Sequence, residues 1–308
     1  MSYWANGIHF VALCFCIFTA ILTLGVFIAS RRRNSEMLTM FNKRMATLWV
    51  IIALFALAFV GGKAFGCLFF AAVSVVGLRE YNAMITLRHR FETRNFLSYI
   101  FVLLQYSALY CGNDFVFCAL IPLSIFLLVP YAGMTNRTAA DIGLKSLFDY
   151  VGLMLTVYAL SYMCAFLNLS LSDEADGAAL LLFVLILTLM SDFFQAICGF
   201  LWGKHRIVPT LSPNKTLEGL LGGGVLTGIL AWITGKYLTP FGTVELLVLG
   251  FVLNFAAFCG DVTVSAIKRY AGVKDSGNLL PGHGGLLDRF DSIMLTAPLL
   301  FWYVLCCY

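Results

Sequence analysis

Charge is what this sequence has least of. Lys, Arg, Asp and Glu together make up 12% of 308 residues, whereas 61% are hydrophobic and 28 are Phe; soluble domains carry roughly 45–50% apolar residues. A mean hydropathy of +0.90 excludes an ordinary water-soluble domain and makes lipid the solvent. The ten Cys, at 14, 16, 67, 111, 118, 164, 198, 259, 306 and 307, show no C-x-x-C spacing and mostly sit inside apolar runs. That argues against a metal or disulfide framework and for small core side chains. No internal repeat, low-complexity linker or separate soluble domain is visible, so polar chemistry must come from loops and helix ends. A signal-peptide layout is also missing: Arg31, Arg32 and Arg33 follow the first apolar run and no small-residue cleavage site is evident. The run is therefore expected to stay as a span.

A helical crossing needs about 20 mostly apolar residues at a rise of ~1.5 Å each. About ten runs qualify, near 8–29, 46–62, 65–86, 96–111, 115–132, 147–167, 177–202, 217–235, 243–265 and 288–307. The second and third are separated only by Gly61, Gly62 and Lys63, which fits a turn, a kink or a re-entrant break. If the N-terminus is external, alternate loops should collect positive charge on the cytoplasmic side. Of the 20 Lys and Arg, all but Lys63 and Lys236 fall in those inner segments. The expected fold is an all-α polytopic integral membrane protein of about ten transmembrane helices. It divides into a first helix with a basic loop (1–41), central helices (42–176) and a C-terminal region (177–308) whose polar groups gather at the cytoplasmic helix ends. The net charge of +4 follows from this bias and calls for no nucleic acid.

Charged groups near spans are expensive unless paired or functional. Asp261, Ser265 and Lys268 recur at i, i+4 and i+7, on one helical face; a plain Asp261 to Lys268 salt bridge is the bland explanation. Asp288 and Asp291 stand at i, i+3 where the last span begins. Helix capping accounts for one of them, whereas both, with Asp261 packed close, offer hard oxygen ligands for Mg²⁺. Between these helices, Gly272, Gly277, Gly282, Gly284, Gly285 and Pro281 make a loop that can expose amides, although it lacks the order of a phosphate-binding P-loop. His283 in that loop suits a phosphate, a nucleotide base or a backbone bond equally well.

A second polar patch spans 203–224. Ser212 followed by Pro213 reads as N-cap and first residue of the eighth span, aiming free amides at an anion, with Lys204, His205, Arg206 and Lys215 adding charge. An ordinary basic loop is the alternative. Glu218 there needs a cation or an amide. Upstream, Asp192 shares a face with Gln195 and Gly199, for a metal or nucleotide contact or for a buried hydrogen bond. Glu80 reads as a structural partner of Arg79 or Arg88.

These blocks carry a resemblance. The run S-x-x-K-R-x-x-x-x-K-D-S-G-x-x-x-P-G-H-G-G-x-x-D-R-x-D, from Ser265 to Asp291, resembles the signature of the CDP-diglyceride synthases, also called phosphatidate cytidylyltransferases. The run S-P-N-K-T-x-E-G at 212–219, after G-K at 203–204, resembles that family's other block in the expected order, and the likeness extends over 42–308. One departure lies in D-F-F-Q-A at 192–196, where such proteins commonly carry D-x-x-A-Y; it bears on recognition of nucleotide or acceptor.

The resemblance implies transfer of a cytidylyl group from CTP to phosphatidic acid, giving CDP-diacylglycerol and pyrophosphate in phospholipid biosynthesis. It further implies Mg²⁺ on Asp261, Asp288 and Asp291, with a second cation such as K⁺. Lys268 would steady phosphate oxygens, helped by Arg269, Lys274 and Arg289. Ser212, Asn214 and Lys215 would hold phosphate groups, with Asp192 and His283 as further substrate contacts. A homodimer in a bacterial inner (plasma) membrane, with its site facing the cytoplasm, completes the expectation. Rival readings are a cytidylyltransferase or CTP-dependent kinase acting on another lipid, and a transporter, which would spread polar groups through the midplane and show a repeat.

Overall fold

Hydrocarbon offers a backbone no partner but itself, so long apolar runs close their hydrogen bonds internally as helices. A computed structural model describes residues 8–17, 19–21, 23, 24, 49, 61–89, 96–136, 138–169, 177–277 and 284–308. Among them the named elements are all helical: α1 (Gly62–Arg88), α2 (Phe96–Cys111), α3 (Asp114–Leu123), α4 (Ile125–Thr135), α5 (Ala139–Leu153), α6 (Leu160–Asn168), α7 (Gly177–Trp202), α8 (Leu217–Leu238), α9 (Thr243–Tyr270), α10 (Leu287–Phe290) and α11 (Ile293–Cys307). A π-helical turn, Met154–Ala159, joins α5 to α6, so that Ala139–Asn168 runs through as one helix of 30 residues.

Five described helices are long and apolar enough to cross a membrane: α1, α5 with α6, α7, α8 and α9. The pair α3 and α4, bent by 42° with Pro122 and Pro130 inside them, makes a sixth if it forms one crossing. Proline removes a ladder hydrogen bond, which accounts for a bend there. Helices α2 and α11 are apolar but shorter. The protein is thus an all-α integral membrane protein, with five crossings, or six if the bent pair is one, supported among the described residues. Most of the expected spans 8–29 and 46–62 lies outside those residues. Large apolar side chains such as Leu103, Phe126, Phe200, Val225 and Val248 are exposed on its outer surface, as lipid contact requires.

Helix-end contacts define two opposite ends of the bundle. At one, His89 after α1 bonds Tyr270 of α9 at 2.7 Å, and Arg88 lies over the Tyr270 ring at 4.8 Å. At the other, Asn168 of α6 donates to the Leu109 carbonyl of α2 at 3.1 Å, and the Tyr308 hydroxyl donates to Glu245 near the start of α9 at 3.0 Å. The polar segment 203–216 and the described residues of 271–292 lie at the first end.

Between the ends, α7, α8 and α9 pack side by side, and α11 is tied to α7 by the Thr188 to Thr296 hydroxyl contact at 2.8 Å. Gly260 of α9 sets the position of the carboxylates. A Cβ there would stand 2.4 Å from the Asp291 carbonyl oxygen, so only glycine lets the backbone at 291–292 lie directly on α9.

Candidate active site

Helical spacing places Asp261, Ser265 and Lys268 of α9 on one face, and the Ser265 hydroxyl donates to Asp261 Oδ1 at 3.3 Å. The two charged ends of that face take different partners. Asp261 Oδ2 pairs with Lys215 Nζ at 2.7 Å, while Lys268 Nζ pairs with Asp288 Oδ1 at 2.7 Å. The Lys215 contact joins the segment before α8 to the C-terminal half of α9, bringing the two polar blocks of the sequence into one site. Lys215 also donates to Gln195 Oε1 at 3.4 Å. Gln195, which is buried, in turn donates through Nε2 to Asn254 Oδ1 at 3.1 Å.

Around Lys215 stand three carboxylates. Asp192 accepts from the Ser292 hydroxyl on Oδ2 at 2.8 Å, and its Oδ1 is buried with no hydrogen-bond partner. Asp291 accepts from the Ser292 amide at 2.8 Å. Burial, and then the charges of Asp261 and Asp192, push the Asp291 carboxyl well above the usual carboxylate range. Burial works against the Lys215 ammonium, but Asp192 and Asp261 outweigh it and hold its pKa above the ordinary value.

Asp288, beside the start of α11, is surrounded by protein donors. Its Oδ1 takes Lys268, and its Oδ2 takes the Ser276 amide at 2.8 Å, the Ser276 hydroxyl at 3.0 Å and the Gly285 amide at 3.0 Å. Burial alone would raise its pKa, yet Lys268 and these amides hold it below the ordinary range. With its oxygens engaged by protein donors, Asp288 organises the loop and Lys268 here, while Asp192 lies close enough to Asp261 and Asp291 for their charges to interact. Gly284, at φ +82°, supports the arrangement: a Cβ there would lie 2.7 Å from Asp288 Oδ2.

Among the described residues, no three His, Cys, Asp or Glu side chains close round one point as metal ligands would. The donor chemistry nonetheless suits a hard cation. Asp192, Asp261 and Asp291 supply carboxylate oxygens, one of them buried without a donor, and their mutual repulsion is offset by the charges of Lys215, Lys268 and Arg289.

The segment at 203–216 departs from the sequence reading at the start of α8. Thr216, not Ser212, is the N-cap, its hydroxyl accepting from the Gly219 amide at 3.1 Å. Ser212 lies in a turn that bonds back to the Val208 carbonyl at 2.9 Å. Glu218 finds its partners in the amides of Lys204 and His205, at 3.0 and 3.2 Å, and in the His205 ring. Arg269 donates to the Leu211 carbonyl at 3.3 Å, tying the segment to the end of α9. Asn214 and Lys274 are exposed. Arg289 lies near enough for its charge to act on Asp192. His283 is outside the described residues.

Glu80 is the residue the sequence reading placed wrongly. It accepts from the Ser276 hydroxyl at 3.0 Å and from the amides of Leu286 and Leu287, each at 2.9 Å. A signal was available: Val76, Gly77, Ala83 and Met84, its helical-face neighbours, carry no charge, whereas Arg79 and Arg88 are not at facing positions. A carboxylate so placed in an apolar helix must find its donors elsewhere.

The family model described as the cytidylyltransferase family matches residues 42–307. The chain is 38% identical over 268 residues to the uncharacterized protein YnbB of Escherichia coli strain K12, a stretch covering 86% of this chain and 88% of that one. It is 32% identical over 206 residues to the phosphatidate cytidylyltransferase of Staphylococcus saprophyticus, covering 66% and 75% respectively. Against the phosphatidate cytidylyltransferase of Staphylococcus aureus strain COL the identity is 34% over 158 residues, covering 51% and 60%.

Proposed function

The chain belongs to the cytidylyltransferase family, and from that premise we propose that this membrane nucleotidyltransferase uses phosphatidate as its acceptor, releasing pyrophosphate and leaving CDP-diacylglycerol in the bilayer. In that reaction a phosphate oxygen of the lipid bonds to the α-phosphorus of CTP as the bond to the β-phosphate oxygen breaks. Two polyanions must meet in line, so the site has to supply fixed positive charge. The observation that carries the reading is the Lys215 to Asp261 contact at 2.7 Å, which unites both polar blocks around one carboxylate cluster.

In this reading Lys215 and Lys268 orient phosphate oxygens, and Arg269, Lys274 and Arg289 line the approach. Ser212 and Asn214 lie on the segment that meets the nucleotide. A phosphate monoester is already anionic near neutral pH, so no side chain is assigned as base. Asp192, Asp261 and Asp291 would hold Mg²⁺, which when bound would screen the charge of the meeting phosphates. A second cation such as K⁺ and a homodimer belong to the same proposal. The acyl chains stay in lipid while CTP arrives from water, which favours a bacterial inner membrane with the site end facing the cytoplasm.

Purified protein is given CTP labelled at the α-phosphate, phosphatidate and Mg²⁺, with other phosphorylated lipids in parallel. Label in a phosphatidate-derived liponucleotide, matched by pyrophosphate, is the expected result. Label only in the product of another lipid would redirect the acceptor, a question that the Gln195 contact to Lys215 makes worth asking. Labelled CDP formed with transfer of the γ-phosphate to a lipid would replace the transferase by a kinase.

A further inference from the structure

We propose that Glu80 is a positioning residue of the transfer site: from the N-terminal half of the bundle, its carboxylate clamps the loop that holds Asp288 and thereby orients the Lys268 ammonium. This rests on the reading of Lys268 as a phosphate-orienting group.

Glu80 is buried on α1, where a carboxylate costs several kcal/mol unless its lone pairs are filled. They are filled entirely from the far side of the sequence, 196 to 207 residues away. Oε1 takes the Leu286 amide; Oε2 takes the Leu287 amide and the Ser276 hydroxyl. Thus a single side chain grips both strands of the loop that leads from α9 into α10.

The loop is shaped to receive it. A Cβ on Gly285 would stand 2.4 Å from Glu80 Oε2, and one on Gly277 would stand 2.9 Å from Oε1. Glycine at these positions clears the space that the carboxylate fills.

The connection onward to the site runs through Ser276. Its hydroxyl lies 3.0 Å from Glu80 Oε2 and 3.0 Å from Asp288 Oδ2, yet a hydroxyl has one proton to donate. Two carboxylates therefore share that proton, and Asp288 presents its other oxygen to Lys268 at 2.7 Å. Neutral donors on Glu80 and a cation on Asp288 make a graded chain from α1 to the ammonium. Arg88, one of the two cations expected for Glu80, lies over Tyr270 instead.

The test is Glu80→Gln in the full-length protein, with Ser276→Ala beside it. Glutamine keeps the size but has one acceptor oxygen for three donors. Supporting partners of this kind typically matter by about 10- to 100-fold in activity. The expected result is such a fall in kcat with little change in KM for CTP, and a smaller fall of the same type for Ser276→Ala. Hydrogen exchange provides a readout independent of turnover: the amides of Leu286 and Leu287 should exchange faster in Glu80→Gln while α7 and α8 keep their protection.

Unchanged kcat in the folded Glu80→Gln protein would overturn the proposal, as would a change confined to KM. If Glu80→Gln does not fold, Ser276→Ala decides by the same criteria. If the wild type transfers no cytidylyl group at all, the functional reading fails on its own. Exchange at Leu286 and Leu287 then still supports or refutes the clamp.

Discussion

Lys215 acts on Asp192, Asp261 and Asp291, so its charge helps three carboxylates share one partly desolvated pocket. Replacing it by Met keeps most of the stem and removes the charge. The Lys215→Met protein should transfer cytidylyl groups about 10²- to 10³-fold more slowly, the usual scale for losing one group that stabilises developing charge. Single-turnover transfer from α-labelled CTP measures this, with circular dichroism to show that the helices persist; a rate near that of the wild type would remove Lys215 from the reaction. Most residues at this scale were legible, because spacing and motif pointed to Asp261, Lys268, Asp288, Asp291 and Lys215. Their partnerships were not. Sequence spacing reports neighbours on one helix, whereas the Lys215 to Asp261 and Lys268 to Asp288 pairs form between segments. That Asp192 stands beside Asp261 and Asp291 was invisible for the same reason.

The helices themselves were easier to read than their ends. Apolar runs at 177–202 and 217–235 match α7 and α8 closely, since hydrocarbon leaves such segments little alternative to the helix. The start of α8 was misjudged because Ser212-Pro213 and Thr216 are both good cap signals, each worth about 1 kcal/mol. What decides between them is non-local: Ile207 donates to the Lys215 carbonyl, Glu218 takes the amides at 204 and 205, and the segment folds back before the helix begins. Close packing of α7 on α8 runs through Gly219 and Gly223, where an added Cβ would meet the Gln195 backbone, and it bears directly on the site. A Cβ on Gly223 would lie 2.8 Å from Gln195 Cγ and 3.0 Å from its backbone nitrogen. Gly223→Val should therefore cost about 1–3 kcal/mol through overpacking and push Gln195 away from Lys215. Gly143→Ala, where a Cβ meets nothing within 4 Å, is the matched control. Thermal unfolding in detergent and transfer rate should both fall for the first and hold for the second. Equal behaviour of the pair would show that the helix contact tolerates a branched side chain.

For the molecule as a whole, the two ends of the bundle differ in charge. Among the described residues, Lys204, Arg206, Lys215, Lys268, Arg269, Lys274 and Arg289 belong to the end that carries the site, whereas Lys63 and Lys236 lie near the other, where α1 begins and α8 finishes. Positive charge is retained on the cytoplasmic side of a membrane during insertion, and the reaction needs water-borne CTP at the same face. Both requirements are met by one orientation only. Thr210 is exposed in the segment before α8 and Thr243 is exposed at the start of α9, so Thr210→Cys and Thr243→Cys report on opposite ends. In intact spheroplasts a membrane-impermeant maleimide, mapped by peptide mass spectrometry, should modify position 243 and spare position 210. In inverted vesicles the pattern should reverse. Labelling of position 210 from outside would place the carboxylate cluster away from the CTP pool, and the proposed reaction would then lack its nucleotide even if the site chemistry were intact.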